Sequence, residues 1–185
     1  LTEHPDWKPD GKIFRKNPVE ITSATDKVLH QGVYPEDKLI INMSIALDIL
    51  NNEEIPFLIR VICFHYFFGY LHPFYDGNGR TGRIINILFL IISKLQNLPI
   101  LYLSKYIIKH KTEYYKLLQQ VRDADNWEDW ILFMVQGVEE TARETIELIT
   151  KIKALMLDFK HRLRDNYKFY SQELLNNMFK HPYTK

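Results

Sequence analysis

Residues 57–92 read FLIRVICFHYFFGYLHPFYDGNGRTGRIINILFLII, two oily runs joined by a polar turn that holds two glycines. In the first run Phe57, Leu58, Ile59, Val61, Ile62, Phe64, Phe67 and Phe68 surround nearly the whole circumference of a helix. That pattern predicts a central, buried helix opened by Pro56 and ending near Gly69. The second run, Ile84–Ile92, is again apolar nearly all round and predicts a second buried helix that starts at Gly79 or Arg80. Tyr70 to Asn78 form the loop between them. Arg60 and His65 interrupt the first run and the second is short, so neither reads as a membrane span.

Working towards the N-terminus, Tyr34-Pro35-Glu36-Asp37 reads as a helix start, with proline and then acids in the first turn. Leu39, Met43, Leu47 and Leu50 follow at helical spacing until Asn51-Asn52. Before that helix, Val19–Thr22 and Val28–Val33 have extended propensity and flank a polar turn at Ser23-Ala24-Thr25-Asp26, which predicts a small hairpin. Pro5, Pro9, Gly11 and Pro18 make residues 1–18 an irregular arm. Towards the C-terminus, Ser104 is the expected cap of a short helix beyond Pro99, and Thr112–Val121 form another. Trp127–Asp165 form a long helix with Gly137 as its candidate break, and Ser171 is the expected cap of a last helix. The fold class is all-α, a helical bundle with one hairpin.

With 185 residues the chain is long enough for one sizeable core. Lys and Arg number 24 against 23 Asp and Glu, a balance that leaves no electrostatic footprint for generic nucleic-acid or anionic-membrane binding. One cysteine, Cys63, excludes an intrachain disulfide framework and a cysteine-based zinc site. Inside an apolar helix it reads as core packing. A reducing, cytoplasmic location is the expectation, with no targeting segment at the polar start. The first residue is not Met and the last helix ends abruptly, so the expectation is a fragment of a longer protein.

The turn from His72 to Arg83 carries the chemistry. Gly77 and Gly79 remove side chains, so main-chain N–H groups can approach an oxyanion. The helix N-terminus behind them adds unpaired N–H groups and a positive dipole end. Arg80 and Arg83 lie one turn apart and can both reach phosphate oxygens. They would oppose the dipole unless an anion is present. Asp76 is a hard oxygen ligand placed where Mg²⁺ bridges phosphates, and His72 is a group able to take a proton near neutral pH. Each feature has a plain structural alternative: a simple turn, solvated arginines, a packed loop histidine. A His65–His72–Asp76 metal site is a further reading, set against Gly69 and Pro73, which break the helical register between them.

These residues resemble the Fic family (filamentation induced by cyclic AMP), whose signature is His-x-Phe-x-Asp/Glu-Gly-Asn-Gly-Arg-x-x-Arg. His72, Phe74, Asp76, Gly77, Asn78, Gly79, Arg80 and Arg83 fill every fixed position. The resemblance runs from about Phe14 to Leu157 and takes in Leu101-Tyr102-Leu103-Ser104 and Tyr114-Tyr115. It implies a Fic catalytic domain over residues 1–165, and Tyr170–Leu175 resembles the entry to the winged-helix module of some members, placing its start at 166–185.

The resemblance implies a protein adenylyltransferase that moves AMP from ATP to a Tyr, Thr or Ser hydroxyl of a protein and releases pyrophosphate. His72 is then the general base and Asp76 the Mg²⁺ ligand. The main chain of Gly77, Asn78 and Gly79 forms the anion hole, with the Asn78 side chain also turned to phosphate. The ATP-binding stretch continues through Arg80, Thr81, Gly82 and Arg83, with both arginines on the β- and γ-phosphates, and Phe74 anchors the loop in the core. Tyr115 matches a position that borders adenine and ribose, with an ordinary amphipathic-helix aromatic as the alternative. Val19, Glu20, Ile21 and Thr22 belong to the family's flap, where a target segment adds as a strand; the alternative is a plain hairpin over a bundle edge. In related Doc toxins a bulkier basic residue replaces Gly79 and the γ-phosphate is transferred, so glycine here favours nucleotidyl transfer.

Kinase-like transfer and deAMPylation at the same site stand as alternatives, as does an inert nucleotide-sensing regulator. The family's inhibitory Ser/Thr-x-x-x-Glu-Gly/Asn run does not occur in the chain and is expected upstream. Partners on this reading are ATP and a protein target, with self-modification and a homodimer both allowed. No membrane is expected, and nucleic acid only through the C-terminal module.

Overall fold

In a computed structural model, residues 9–22, 25–26, 28–95 and 101–180 are described. Among them the chain forms β1 (Glu20–Thr22), β2 (Val28–Gln31), α1 (Glu36–Asn51), α2 (Phe57–Leu71), α3 (Asn78–Ile92), α4 (Leu103–Lys109), α5 (Lys111–Ala124), α6 (Trp127–Asn166) and α7 (Gln172–Lys180). The architecture is helical with one small antiparallel sheet, as the periodicities require. Ser23 and Ala24 of the expected turn, the arm before Pro9, and Pro99 lie outside the described residues.

The chain divides into two compact units, Leu1–Glu139 and Glu140–Lys185. In the first, α1 packs on α2 and α2 on α3. Leu39, Met43, Ala46 and Leu50 of α1 meet Val61, Phe64, Phe68 and Leu71 of α2, with Phe14, Val33, Phe74 and Phe89 closing around them. The buried stripe of α1 therefore runs through Ala46, whereas Leu47, expected on it, is exposed. The reason is geometric: position 46 lies about 20° from Leu39 around a 3.6-residue turn and position 47 about 80°. Helix α2 is central, as expected. It turns Phe64 and Phe68 to α1, and its His65 and Tyr66 rings lie against Trp130.

Helix α3 departs from the expectation of a buried rod. It begins one residue early, at Asn78, and buries Asn78, Gly82, Asn86 and Leu90. Ile84, Leu88 and Ile92, spaced four apart on another face, are half exposed or more. Its apolar content exceeds what its packing face takes up, and two of the four buried positions are asparagines. Ser104 lies inside α4, whose N-cap is Tyr102. Gly137 does not break α6: a Cβ there would stand 2.6 Å from the Tyr106 ring, so the glycine admits that ring.

A carboxylate secures the arm. Glu36 Oε1 accepts the N–H groups of Ile13 and Phe14 at 2.8 and 2.9 Å, and its Oε2 accepts that of Lys12 at 2.9 Å. These bonds hold its pKa below the usual carboxylate value. In the second unit, Phe159 of α6 meets Phe179 of α7 at 5.9 Å, and Ser171 Oγ accepts the Leu174 N–H at 3.1 Å, the cap expected of it. No helix among the described residues is long and apolar enough to cross a membrane.

Candidate functional site

Helix α2 stops because His72 turns left-handed, at φ 52° and ψ 61°, with its N–H on the Phe68 carbonyl at 3.1 Å. Pro73, buried, follows and cannot continue the helix. Gly77 takes φ 80°, the region a glycine occupies without strain, and becomes the N-cap of α3. No side chain caps that helix and no acid stands in its first turn, so N–H groups of its first turn are open to an anion. His72 to Arg83 thus form one αL-bounded loop and one uncapped helix start.

His72 is half-buried, and its Nδ1 lies 3.4 Å from the Gly69 carbonyl oxygen. Nδ1–H donating there leaves the Nε2 lone pair for a proton. Burial pushes the His72 pKa down, with the charges of His30 and Arg15 acting the same way and the Gly69 carbonyl and Asp76 opposing. The imidazole is therefore neutral at neutral pH, the state a base requires.

Asp76 is exposed at the loop apex. Its Oδ1 accepts the Gly77 N–H at 2.5 Å, and its Oδ2 faces Arg80 Nη2 at 3.3 Å. No three His, Cys, Asp or Glu side chains gather as a metal cluster among the described residues, so the His65–His72–Asp76 site does not form. A Mg²⁺ that keeps most of its water and takes phosphate oxygens needs only one or two carboxylates, and the solvent-facing Asp76 suits that role.

Asn78 corrects one expectation. Its side chain does not turn to phosphate: Oδ1 accepts the Phe74 N–H at 2.9 Å and Nδ2 donates to the Phe74 carbonyl at 2.7 Å. It is 3% exposed and braces the loop from within. Phe74 packs on Phe14 and Phe68, centroids 6.0 and 6.3 Å away. Gly79 is exposed, and a Cβ there would lie 3.2 Å from Arg83 Nη1. Thr81 donates its N–H to the Gly77 carbonyl at 2.9 Å. Gly82 is buried against Phe68 and His65. Arg83 makes no hydrogen bond or ion pair among the described residues, so its guanidinium is available to a ligand.

Beneath Gly82 lies a network that the sequence did not disclose. Asn86 Nδ2 donates to His65 Nδ1 at 3.1 Å, so His65 Nε2–H donates to the Tyr114 hydroxyl at 2.9 Å. Trp130 stacks on the His65 ring at 6.3 Å. Tyr114 is thereby the more enclosed member of its pair, partly buried, and Tyr115, half exposed, keeps a ring contact with it at 5.3 Å. Burial, with the nearby Arg83 charge, depresses the His65 pKa from 6.5 to about 4. A depressed folded-state pKa contributes stability that is present above the unfolded value and lost as pH falls towards the folded one. Unfolding in urea should show stability declining by roughly 3 kcal/mol as pH falls from the ordinary His value to this one. His65→Gln should flatten that slope, and a wild-type profile flat over the interval would refute the assignment.

The hairpin sits beside His72. Glu20 pairs with Gln31, Ile21 with His30 and Thr22 with Val28, with a bulge between Ile21 and Thr22. Val19 accepts the Gly32 N–H at 2.9 Å. His30 Nε2–H donates to the Tyr70 carbonyl at 2.7 Å, and Arg122 Nη1 to the Leu29 carbonyl at 2.6 Å. The sequence also gave no sign of Arg15 or Tyr75. The Tyr75 hydroxyl reaches both Asp10 carboxylate oxygens, at 2.9 and 3.0 Å, and so ties the arm to the loop. Arg15 is 1% exposed; a lone arginine in an irregular, charged arm carries no periodic signal of burial.

Residues 2–90 match the model of the Fic/DOC family. A crystal structure of a Fic family protein from Desulfovibrio desulfuricans G20 superposes with a TM-score of 0.66 over 90% of this chain and 50% of that one, at 26% identity. A curated relative from Aquifex aeolicus (strain VF5), named "Probable protein adenylyltransferase", is 40% identical over 57 residues, 31% of this chain and 18% of that protein. The chain thus spans half the length of the solved protein and a smaller part of the curated one. The helical fold is the Fic fold, and the signature from His72 to Arg83 lies within the matched residues 2–90.

Proposed function

We propose that the chain is a protein adenylyltransferase acting from the loop between α2 and α3. The observation that carries the reading is the complete signature held around an uncapped helix start, with Arg83 unpaired beside it. The adenylyltransferase name of the Aquifex aeolicus relative supports the same chemistry.

On this reading ATP lays its phosphates on the N–H groups of the first turn of α3, with Arg80 and Arg83 on the outer phosphates. Gly79 leaves the room that a side chain would take from the β-phosphate. Asp76 would hold a Mg²⁺, which supplies countercharge to the leaving pyrophosphate when bound. A target hydroxyl attacks the α-phosphorus while His72 Nε2 takes its proton; the new O–P bond forms, the bond to the bridging oxygen of the β-phosphate breaks, and pyrophosphate leaves. Tyr115, half exposed beside Tyr114, would border the base. In the sheet described, β1 pairs with β2 alone, so its outer edge suits an added target strand.

The test is to incubate the protein with ATP labelled at the α-phosphate, with Mg²⁺, and to weigh the self-modified chain by mass spectrometry. A gain of one adenylyl group is expected. A gain of phosphate from γ-labelled ATP, or binding without turnover, would reject the reading.

A further inference from the structure

His72 is strained twice over. It is a non-glycine residue at φ 52°, and it precedes a proline, whose ring disfavours helical backbone at the residue before it. Such a conformation persists only where the surroundings over-determine it. The group that does so is Arg15. Its Nε donates to the His72 carbonyl at 2.8 Å, Nη1 to Asn17 at 2.6 Å, and Nη2 to Val33 at 2.8 Å and to Leu71 at 3.5 Å, in each case to the main-chain oxygen. Its own N–H donates to the Pro73 carbonyl at 3.2 Å. Every acceptor is a carbonyl and none a carboxylate, so the guanidinium serves as a planar fork for main chain rather than as half of an ion pair.

The acceptors come from three places: the arm, the end of α2 with His72, and the exit of the hairpin at Val33. Gly32 is shaped to this contact. A Cβ there would stand 2.5 Å from Arg15 Nη2 and 2.9 Å from His72 Cβ, so only a glycine lets the hairpin press this close. The Val33 N–H closes the junction on the Leu71 carbonyl at 3.2 Å.

We propose that Arg15 is the positioning residue for His72, fixing its left-handed backbone and setting the hairpin in register with the imidazole. The consequence for catalysis rests on the adenylyl-transfer reading: a segment laid on the hairpin presents its hydroxyl at a distance from His72 that Arg15 determines. Misplacement of a reacting group by about 1 Å costs on the order of 100-fold in rate, which sets the scale of the effect.

Arg15→Lys keeps the charge and loses the fork; Gly32→Ala attacks the same junction from the hairpin. Two readouts are made on the whole chain. Amide hydrogen exchange at His72 and Val33 should accelerate about tenfold or more in both variants, while amides of Leu39 and Phe64 in the core keep their protection. Self-modification from α-labelled ATP should slow by on the order of 10- to 100-fold, with the ATP concentration for half-maximal rate moving little. Unchanged exchange at His72 and Val33 in Arg15→Lys overturns the proposal, as does a loss expressed wholly as weaker ATP binding. If the wild type transfers no adenylyl group, the functional reading fails by itself, and the exchange at His72 and Val33 still decides the role of Arg15.

Discussion

His72→Ala should abolish labelling from α-labelled ATP, a loss of roughly a hundred- to ten-thousandfold, the usual worth of a positioned base. The fold should survive the change. Beyond its Cβ, the His72 side chain has one long polar contact, to the Gly69 carbonyl, and the loop is braced elsewhere, by Asn78 on Phe74 and by Arg15 on the main chain. ATP binding should survive as well, because the N–H groups and arginines assigned to the phosphates belong to α3. The expected pattern is therefore calorimetric ATP affinity within a few-fold of wild type and no adenylyl group on the protein. Because burial depresses its pKa, the wild-type rate should hold as pH falls through the ordinary histidine range and drop only below it. Labelling that persists in His72→Ala would remove the imidazole from the reaction, whatever else occupies the loop.

What could be read from residues alone followed the strength of each periodic signal. Helix α2 and the stop of α1 at Asn51 were legible because apolar spacing and terminators agree there. The signature loop was legible because its chemistry is local: each assigned group lies within twelve residues. The side-chain direction of Asn78 was not, since an asparagine at a helix start can face a ligand or its own loop, and only the placement of the Phe74 main chain decides between them. The exposure of Ile84, Leu88 and Ile92 was hidden for a related reason: hydropathy records what a helix can bury, not how many neighbours it is given. The contacts of Arg15 with His72, His65 with Tyr114 and Tyr75 with Asp10 escaped because they span 57, 49 and 65 residues, with no spacing rule to connect them.

The distant contacts matter most at Trp130, where the second large effect is expected. Trp130→Ala should cost about 3–5 kcal/mol of stability, the range for emptying a buried tryptophan site. That is a large share of the roughly 5–15 kcal/mol that holds a domain folded. The indole is fully buried and touches rings from three other positions in the fold: His65 and Tyr66 of α2, Tyr114 of α5, and Phe133 one turn along α6. Its removal opens a cavity under the His65–Asn86–Tyr114 network, which ties α2, α3 and α5 together. Trp130 Nε1 has no hydrogen-bond partner among the described residues, so Trp130→Phe deletes no polar contact and should cost distinctly less than alanine. Urea unfolding provides the measurement, as a fall in midpoint with the slope retained. A loss for Trp130→Ala below about 1 kcal/mol, typical of a surface change, would mean that the aromatic cluster does not support α3. Helix α3 would then owe its position to the α1–α2 core alone.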